Sequence, residues 1–197
     1  MSYEVIDLEC PGCGYQVTTN TKQCPQCYRE IVITNFEGVA SMAEEDARKY
    51  TNKYRKVLSN HPDQPELNLT MAFCFLKLKL YDKALPYFEK AIEDNIENSE
   101  AYFYAAVAML HGKRPFLVQK SKINKIEEYI TASIEIEPKG IYYYFLAYIK
   151  KDFYENKCFC TSPTSREVMA MAAEAGLSRQ DITRFWQVLS IERPSDI

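Results

Sequence analysis

PELNLTMAFCFLKLKLYDKALPYFEKAIEDNIEN, Pro65 to Asn98, is the stretch whose reading decides the fold. Ala72, Phe75, Ala84, Phe88 and Ala91 fall three or four residues apart within two blocks, the spacing of paired amphipathic helices. Working towards the N-terminus, the apolar period changes from two to about 3.6 at Ser41. Ser41 and Glu44 have capping-box spacing, which predicts a helix from there to about Leu58. It would bury Ala43, Ala47, Tyr50, Tyr54 and Val57. Working towards the C-terminus, the pattern returns at Ser99 with Tyr102, Ala105, Ala106 and Met109. A late partner helix follows with Ile126, Ile130 and Ser133, ending at Pro138. A third block opens at Lys139 with Tyr142, Phe145, Leu146 and Ile149, and fades near Cys158.

Counted from Pro65 as position one of a 34-residue unit, these small and large residues resemble the tetratricopeptide repeat. Small residues let its two helices cross closely, and aromatics fill the space beside them. The block from Ser99 to Lys139 is 40 residues long, so it carries a six-residue insertion. Tyr50, Tyr54, Val57 and Pro62 match the end of an earlier unit. The resemblance covers about residues 41–157. It implies a mainly α fold, a helical-hairpin superhelix whose concave face binds protein segments. In that family five positions of each first helix line the face. Carried over, they make Phe73, Leu76, Lys77, Phe103, Val107, Tyr143 and Lys150 the candidate partner-binding strip, with a protein or peptide segment as its occupant. The Lys and Asn pattern that clamps a chaperone's terminal carboxylate is missing, so that subfunction does not carry over. The competing reading is that the chain's own C-terminal helices cover these residues.

Ahead of the repeats lies Cys10-Pro11-Gly12-Cys13, ten residues, then Cys24-Pro25-Gln26-Cys27. Each turn aims two thiolates at one point, and two turns close a tetrahedral site of the kind zinc prefers when structural. Gly12 and Gly14 relieve the first turn. The β-branched run 29–34 predicts a strand pairing back onto residues 3–9. This resembles the zinc-ribbon family over roughly the first 35 residues. The resemblance implies one structural Zn²⁺ per chain held by Cys10, Cys13, Cys24 and Cys27. Disulfides and a rubredoxin-like iron site are the alternatives; the iron site needs a longer insert. Residues 1–40 carry a net charge of −3, which favours a stability or protein-docking role over phosphate contact. So short a segment has too little core to fold without metal.

Of the seven cysteines, Cys74 falls in a helical pattern and reads as buried; Cys158 and Cys160 lack companions for a second metal. His61-Pro62-Asp63 imitates the HPD signature of J-domain co-chaperones, but Pro62 is better read as the end of a repeat. Ala172, Gly176, Ile182 and Phe185 have the offsets of a DNA-binding helix-turn-helix. Thr164 with Glu167 and Ser178 with Asp181 predict helices over about 165–175 and 179–190. That tail carries four Arg against five acids, so a cap for the repeats is favoured, with Val168, Met171, Ile182, Phe185, Trp186 and Leu189 as its buried face. Residues 112–125 hold Lys113, Arg114, Lys120, Lys122 and Lys125 with no acid, a solvated loop or a contact for an acidic partner or nucleic acid.

With 47% hydrophobic residues and a net charge of −3, the 197-residue chain has a core to bury and no global attraction for nucleic acid or anionic membrane. The start shows no export signal and no run is long enough to span a bilayer, so the cytoplasm is the expected location. No phosphate-binding loop or nucleophile elbow is present. The sequence therefore predicts a ribbon over 1–38, repeats over 39–157 and a helical pair over 158–197. The expected function is a non-enzymatic protein-interaction adaptor with no small-molecule substrate. A nucleic-acid-binding regulator and a co-chaperone are the alternatives.

Overall fold

A computed structural model describes residues 4–194, so Tyr3 of the expected first strand and the end of the 158–197 segment lie outside the described residues. The fold is mainly α, with a small two-stranded β ribbon ahead of helical hairpins. The chain divides into two compact units, Met1–Ile96 and Glu97–Ile197.

In the first unit, β1 (Asp7–Glu9) pairs antiparallel with β2 (Gln16–Thr18), with Leu8 opposite Val17. The run 29–34 does not form the expected strand on residues 3–9. Glu30 makes a single bridge to Gln23, the Ile31 N–H donates to the Lys22 carbonyl at 2.9 Å, and other backbone groups of the run find side-chain partners on helices. Tyr50 and Tyr54 of α2 (Glu44–Asn60) donate their hydroxyls to the carbonyls of Glu30 and Ile31, the latter at 2.7 Å. Thr70 of α3 (Pro65–Lys77) accepts the Ile33 N–H at 2.8 Å. A strand needs a neighbouring backbone; these residues have a helical layer beneath them, so their pairing is met one group at a time.

The four-residue helix α1 (Glu37–Ala40) precedes α2. It displaces the expected helix start: α2 begins at Glu44 with Ala43 as an uncapped N-cap, and Ala43 is exposed. Ala47, Tyr50, Tyr54 and Leu58 are buried, whereas Val57 is only half-buried. α3 and α4 (Tyr81–Asp94) form the hairpin expected from Pro65–Asn98. Ala72, Ala84, Phe88 and Ala91 are buried where the two cross.

Pro86 sits exposed inside α4, where it removes the N–H that would bond the Asp82 carbonyl and pushes its ring towards that carbonyl. Pro86→Ala is expected to stabilise the protein, by up to about 3 kcal/mol on the propensity difference. Denaturant unfolding should show a higher midpoint with an unchanged slope; an equal or lower midpoint would show that α4 does not bear the proline's cost.

The second unit stacks α5 (Ser99–Met109) against α6 (Lys120–Ile136), with the inserted segment forming a 3₁₀ turn at Pro115–Leu117. α7 (Gly140–Ile149) runs into a π-helical turn, Lys150–Tyr154. The last helices are α8 (Ser165–Glu174) and α9 (Arg179–Leu189), each opened by a complete capping box, Thr164 with Glu167 and Ser178 with Asp181. Gly140 lets the start of α7 meet the α8–α9 turn: a Cβ there would lie 2.4 Å from the Leu177 nitrogen. Val168, Ala172, Phe185, Trp186, Val188 and Leu189 are buried. Met171 is exposed and Ile182 half-buried, because α8 and α9 each turn only one edge inward.

Candidate metal centre and docking residues

The two cysteine knuckles are built alike. In the first, the Gly14 N–H donates to the Cys10 carbonyl at 3.0 Å and the Cys10 N–H to the Tyr15 carbonyl at 2.9 Å. In the second, Tyr28 donates to Cys24 at 2.9 Å and Cys24 to Arg29 at 2.8 Å. Both turns end on a left-handed residue, Gly14 (φ +78) and Tyr28 (φ +58). Gly12 serves a different purpose from the one expected of it: a Cβ there would lie 2.8 Å from Arg29 Nε and 3.2 Å from Cys27 Sγ.

The knuckles bring the sulfurs of Cys10, Cys13, Cys24 and Cys27 within 4.8 Å of one another. Cys10 and Cys27 are 3.5 Å apart, as are Cys13 and Cys24. A disulfide requires about 2.05 Å, so all four are free thiols. Four sulfurs each about 2.3 Å from one ion stand about 3.8 Å apart, so the cluster fits a tetrahedral metal. Protons compete for the same space. At Cys13 the Tyr15 N–H favours the thiolate, but burial and the three neighbouring sulfurs outweigh it and hold the thiol at about 12. At Cys24 burial opposes the thiolate, but the Cys27 and Gln26 N–H groups and the thiols of Cys13 and Cys10 bring it down to about 7. A divalent cation would satisfy all four at once.

Side chains fasten the ribbon to the helices of its unit. Arg29 pairs with Asp46 at 2.9 Å and Lys53 with Glu9; Gln64 donates to the Glu4 carbonyl at 3.0 Å. Ile31, Ile33 and Phe36 are buried over α2 and α3.

The expected partner strip is not open. Phe73 is fully buried, with Phe36 at 6.2 Å and Phe88 at 5.3 Å, and Leu76 is buried beside it. Lys77 is half-buried and donates to the Ala40 carbonyl at 2.6 Å. In the second unit Phe103 and Val107 are buried; Phe103 meets Tyr142 at 4.7 Å, Phe145 at 5.8 Å and Phe185 of α9 at 6.2 Å. Trp186 donates its indole N–H to the Tyr144 hydroxyl at 3.0 Å. Tyr143 and Lys150 are half-buried, and Lys150 pairs with Glu127 at 2.8 Å. The chain thus covers Phe73 with Phe36 in one unit and Phe103 with Phe185 of α9 in the other, and leaves Lys77, Tyr143 and Lys150 half-exposed.

His61-Pro62-Asp63 does lie at a helix-hairpin turn, between α2 and α3. The ribbon reaches it, with Glu4 3.8 Å from His61, and Asp63 pairs with Lys90 of α4 at 3.0 Å. In the second unit Arg114 of the basic segment is engaged with buried Asp152. Cys74 is buried, which pushes its thiol up to about 12; Cys158 and Cys160 are exposed. No helix of the described residues is long and apolar enough to cross a membrane.

No protein-family model and no curated protein matches the chain. Among solved structures it is similar to a chain titled "MamA MSR-1 C2", at 15% identity over 78% of this chain and 86% of that one, with a TM-score of 0.41. A likeness of that size bears on neither mechanism nor partner. The class of protein is defined by its own geometry: a ribbon with four clustered thiols, able to hold a metal, fastened to helical hairpins.

Proposed function

We propose that the chain is a non-enzymatic protein-interaction adaptor whose ribbon carries one structural zinc on Cys10, Cys13, Cys24 and Cys27. The observation that carries this reading is the closed donor set. Four thiolates complete a tetrahedral shell and leave no position for a substrate or an activated water. The residues that follow the ribbon serve as a lid on α2 and α3, so the ion's work is to hold a scaffold together. What remains is hairpin surface, and among its exposed side chains are Phe116, Leu117 and Phe159, the kind that protein contacts use.

Protein purified without added metal should contain one zinc per chain by elemental analysis, and Cys10→Ser with Cys27→Ser should lose it. Absence of zinc from the wild type would overturn the metal assignment. Affinity purification of the zinc-loaded chain with cross-linking should recover a protein in stoichiometric amount, and recovery of none would overturn the adaptor reading.

A further inference from the structure

The inserted segment of the second unit is pinned from beneath. Asp152, buried in the π-helical turn, accepts from Arg114 and from the Phe116 N–H at 2.8 Å. That anchor turns the 3₁₀ turn outward, leaving Phe116 42% and Leu117 69% exposed. The chain after the π turn meets it. The Lys157 ammonium lies 4.9 Å from the Phe116 ring and 3.9 Å from Phe153. Phe153 is 6.3 Å from Phe159, which is 48% exposed and has Lys120 at 5.7 Å over its face. Leu117, Phe116, Lys157, Phe159 and Lys120 therefore form one continuous apolar and basic patch.

We propose that this patch docks a protein segment in which an apolar anchor is flanked by carboxylates. The proposal rests on the adaptor reading above and names its surface and the chemistry of its partner. Charge complementarity chooses the occupant. Arg114 is paired with Asp152, and the four lysines of residues 112–125, with no acid among them, keep the local charge positive in a chain of net charge −3. The nearby carboxylates already have cationic partners: Asp152 pairs with Arg114 and accepts the Phe116 N–H, and Glu155 pairs with Lys151 at 3.5 Å and accepts the Ser165 N–H at 2.9 Å. Lys120 and Lys157 are held over rings, with ammonium donors left for an incoming carboxylate. Leu117 and the ring edges supply the apolar seat.

Single-stranded nucleic acid fits less well. Bases stack on free ring faces, and here ammonium groups lie over the Phe116 and Phe159 faces. An anionic membrane would gain only weak attraction from each lysine and three shallow side chains.

The test titrates the full zinc-loaded chain into fluorescein-labelled synthetic 12-residue peptides, a Phe-Leu centre flanked by Asp and Glu. Control peptides replace the acids with Lys or the centre with Ala. The acidic anchored peptide should bind, and each control should weaken binding about tenfold or more. Leu117→Ser and Lys120→Glu, both at exposed positions, should keep the circular dichroism of the wild type and lose binding to the same degree. No binding to the acidic peptide overturns the proposal, and so does binding that both variants retain. Variant-sensitive binding of a labelled oligothymidylate or of phosphatidylserine vesicles, without peptide binding, overturns it in favour of those ligands. A partner recovered equally by wild type and both variants would sink the patch and leave the adaptor standing; no partner for any of them would sink the adaptor.

Discussion

Stripping the metal, or replacing Cys24 with Ser, is expected to unfold more than the ribbon. Residues 4–36 bury only a few apolar side chains, among them Ile6, Leu8, Val17, Ile31 and Ile33, too few to hold two three-residue strands on their own. Structural zinc contributes on the order of 10 kcal/mol or more to such folds. The loss cannot stay local. Ile31, Ile33 and Phe36 form the cover of α2 and α3, and the hydroxyls of Tyr50, Tyr54 and Thr70 bond to that same backbone. Remove the cover, and the Tyr50 and Tyr54 hydroxyls lose their carbonyls, Thr70 keeps only the Glu66 carbonyl, and Phe73 loses one wall. Water replaces the lost partners, so each lost bond costs about 0.5–1.5 kcal/mol net. Hydrogen exchange should therefore show the amides of α2 and α3 losing protection together with the knuckles when a chelator is added. Helices α2 and α3 that keep full protection in metal-free protein would show the ribbon to be an independent ornament. Because ligands bind as thiolates, lowering the pH should release the metal and produce the same loss.

Much of this first unit was legible beforehand, and the errors have physical causes. Paired CxxC turns announce themselves, since few other demands place four cysteines at that spacing. The hairpin at Pro65–Asn98 was readable because small and aromatic residues mark a close crossing. Periodicity says which residues share a face, but not which element covers it. The repeat spacing places Phe73 and Leu76 on an open strip; both are buried, Phe73 against Phe36, which opens a stretch too short to show a period. The run 29–34 has strand chemistry in its side chains, yet its backbone meets only residues 22–24, and Glu30, Ile31 and Ile33 bond to the hydroxyls of Tyr50, Tyr54 and Thr70, 20 to 37 residues away, which no pattern encodes. Capping boxes succeeded at Thr164 and Ser178. At Ser41 the box failed because α1 immediately precedes it and Met42 bonds back to Val39. For Phe103 the competing reading, burial by the C-terminal helices, is the one the structure supports, through Phe185.

The basic segment 112–125, which holds the six-residue insertion, has no periodic trace of its fold, because a single ion pair organises it, and breaking that pair should be costly. Asp152 is buried in the π-helical turn, a wide turn that points its carboxylate at the 3₁₀ turn. It accepts from Arg114 Nε at 3.1 Å and from a second guanidinium nitrogen, as well as from the Phe116 N–H. The two partners are not equivalent: the Arg114 side chain is 49% exposed, while that of Asp152 is 2% exposed. Arg114→Ala leaves a carboxylate buried with only one N–H, and should cost about 3–5 kcal/mol. Asp152→Ala leaves a guanidinium that water can reach and one orphaned N–H, so it should cost less, about 2–3 kcal/mol. Asp152→Asn keeps one acceptor but turns its amide NH2 towards a donor that faced the other oxygen, so it should cost about as much as Asp152→Ala. The order is the discriminating result. The double variant with both alanines should be no less stable than Arg114→Ala alone, since the second change removes the stranded charge. Chemical unfolding of the four variants measures all of this. Additive losses in the double variant, or Asp152→Ala worse than Arg114→Ala, would show that the pair does not organise the insertion.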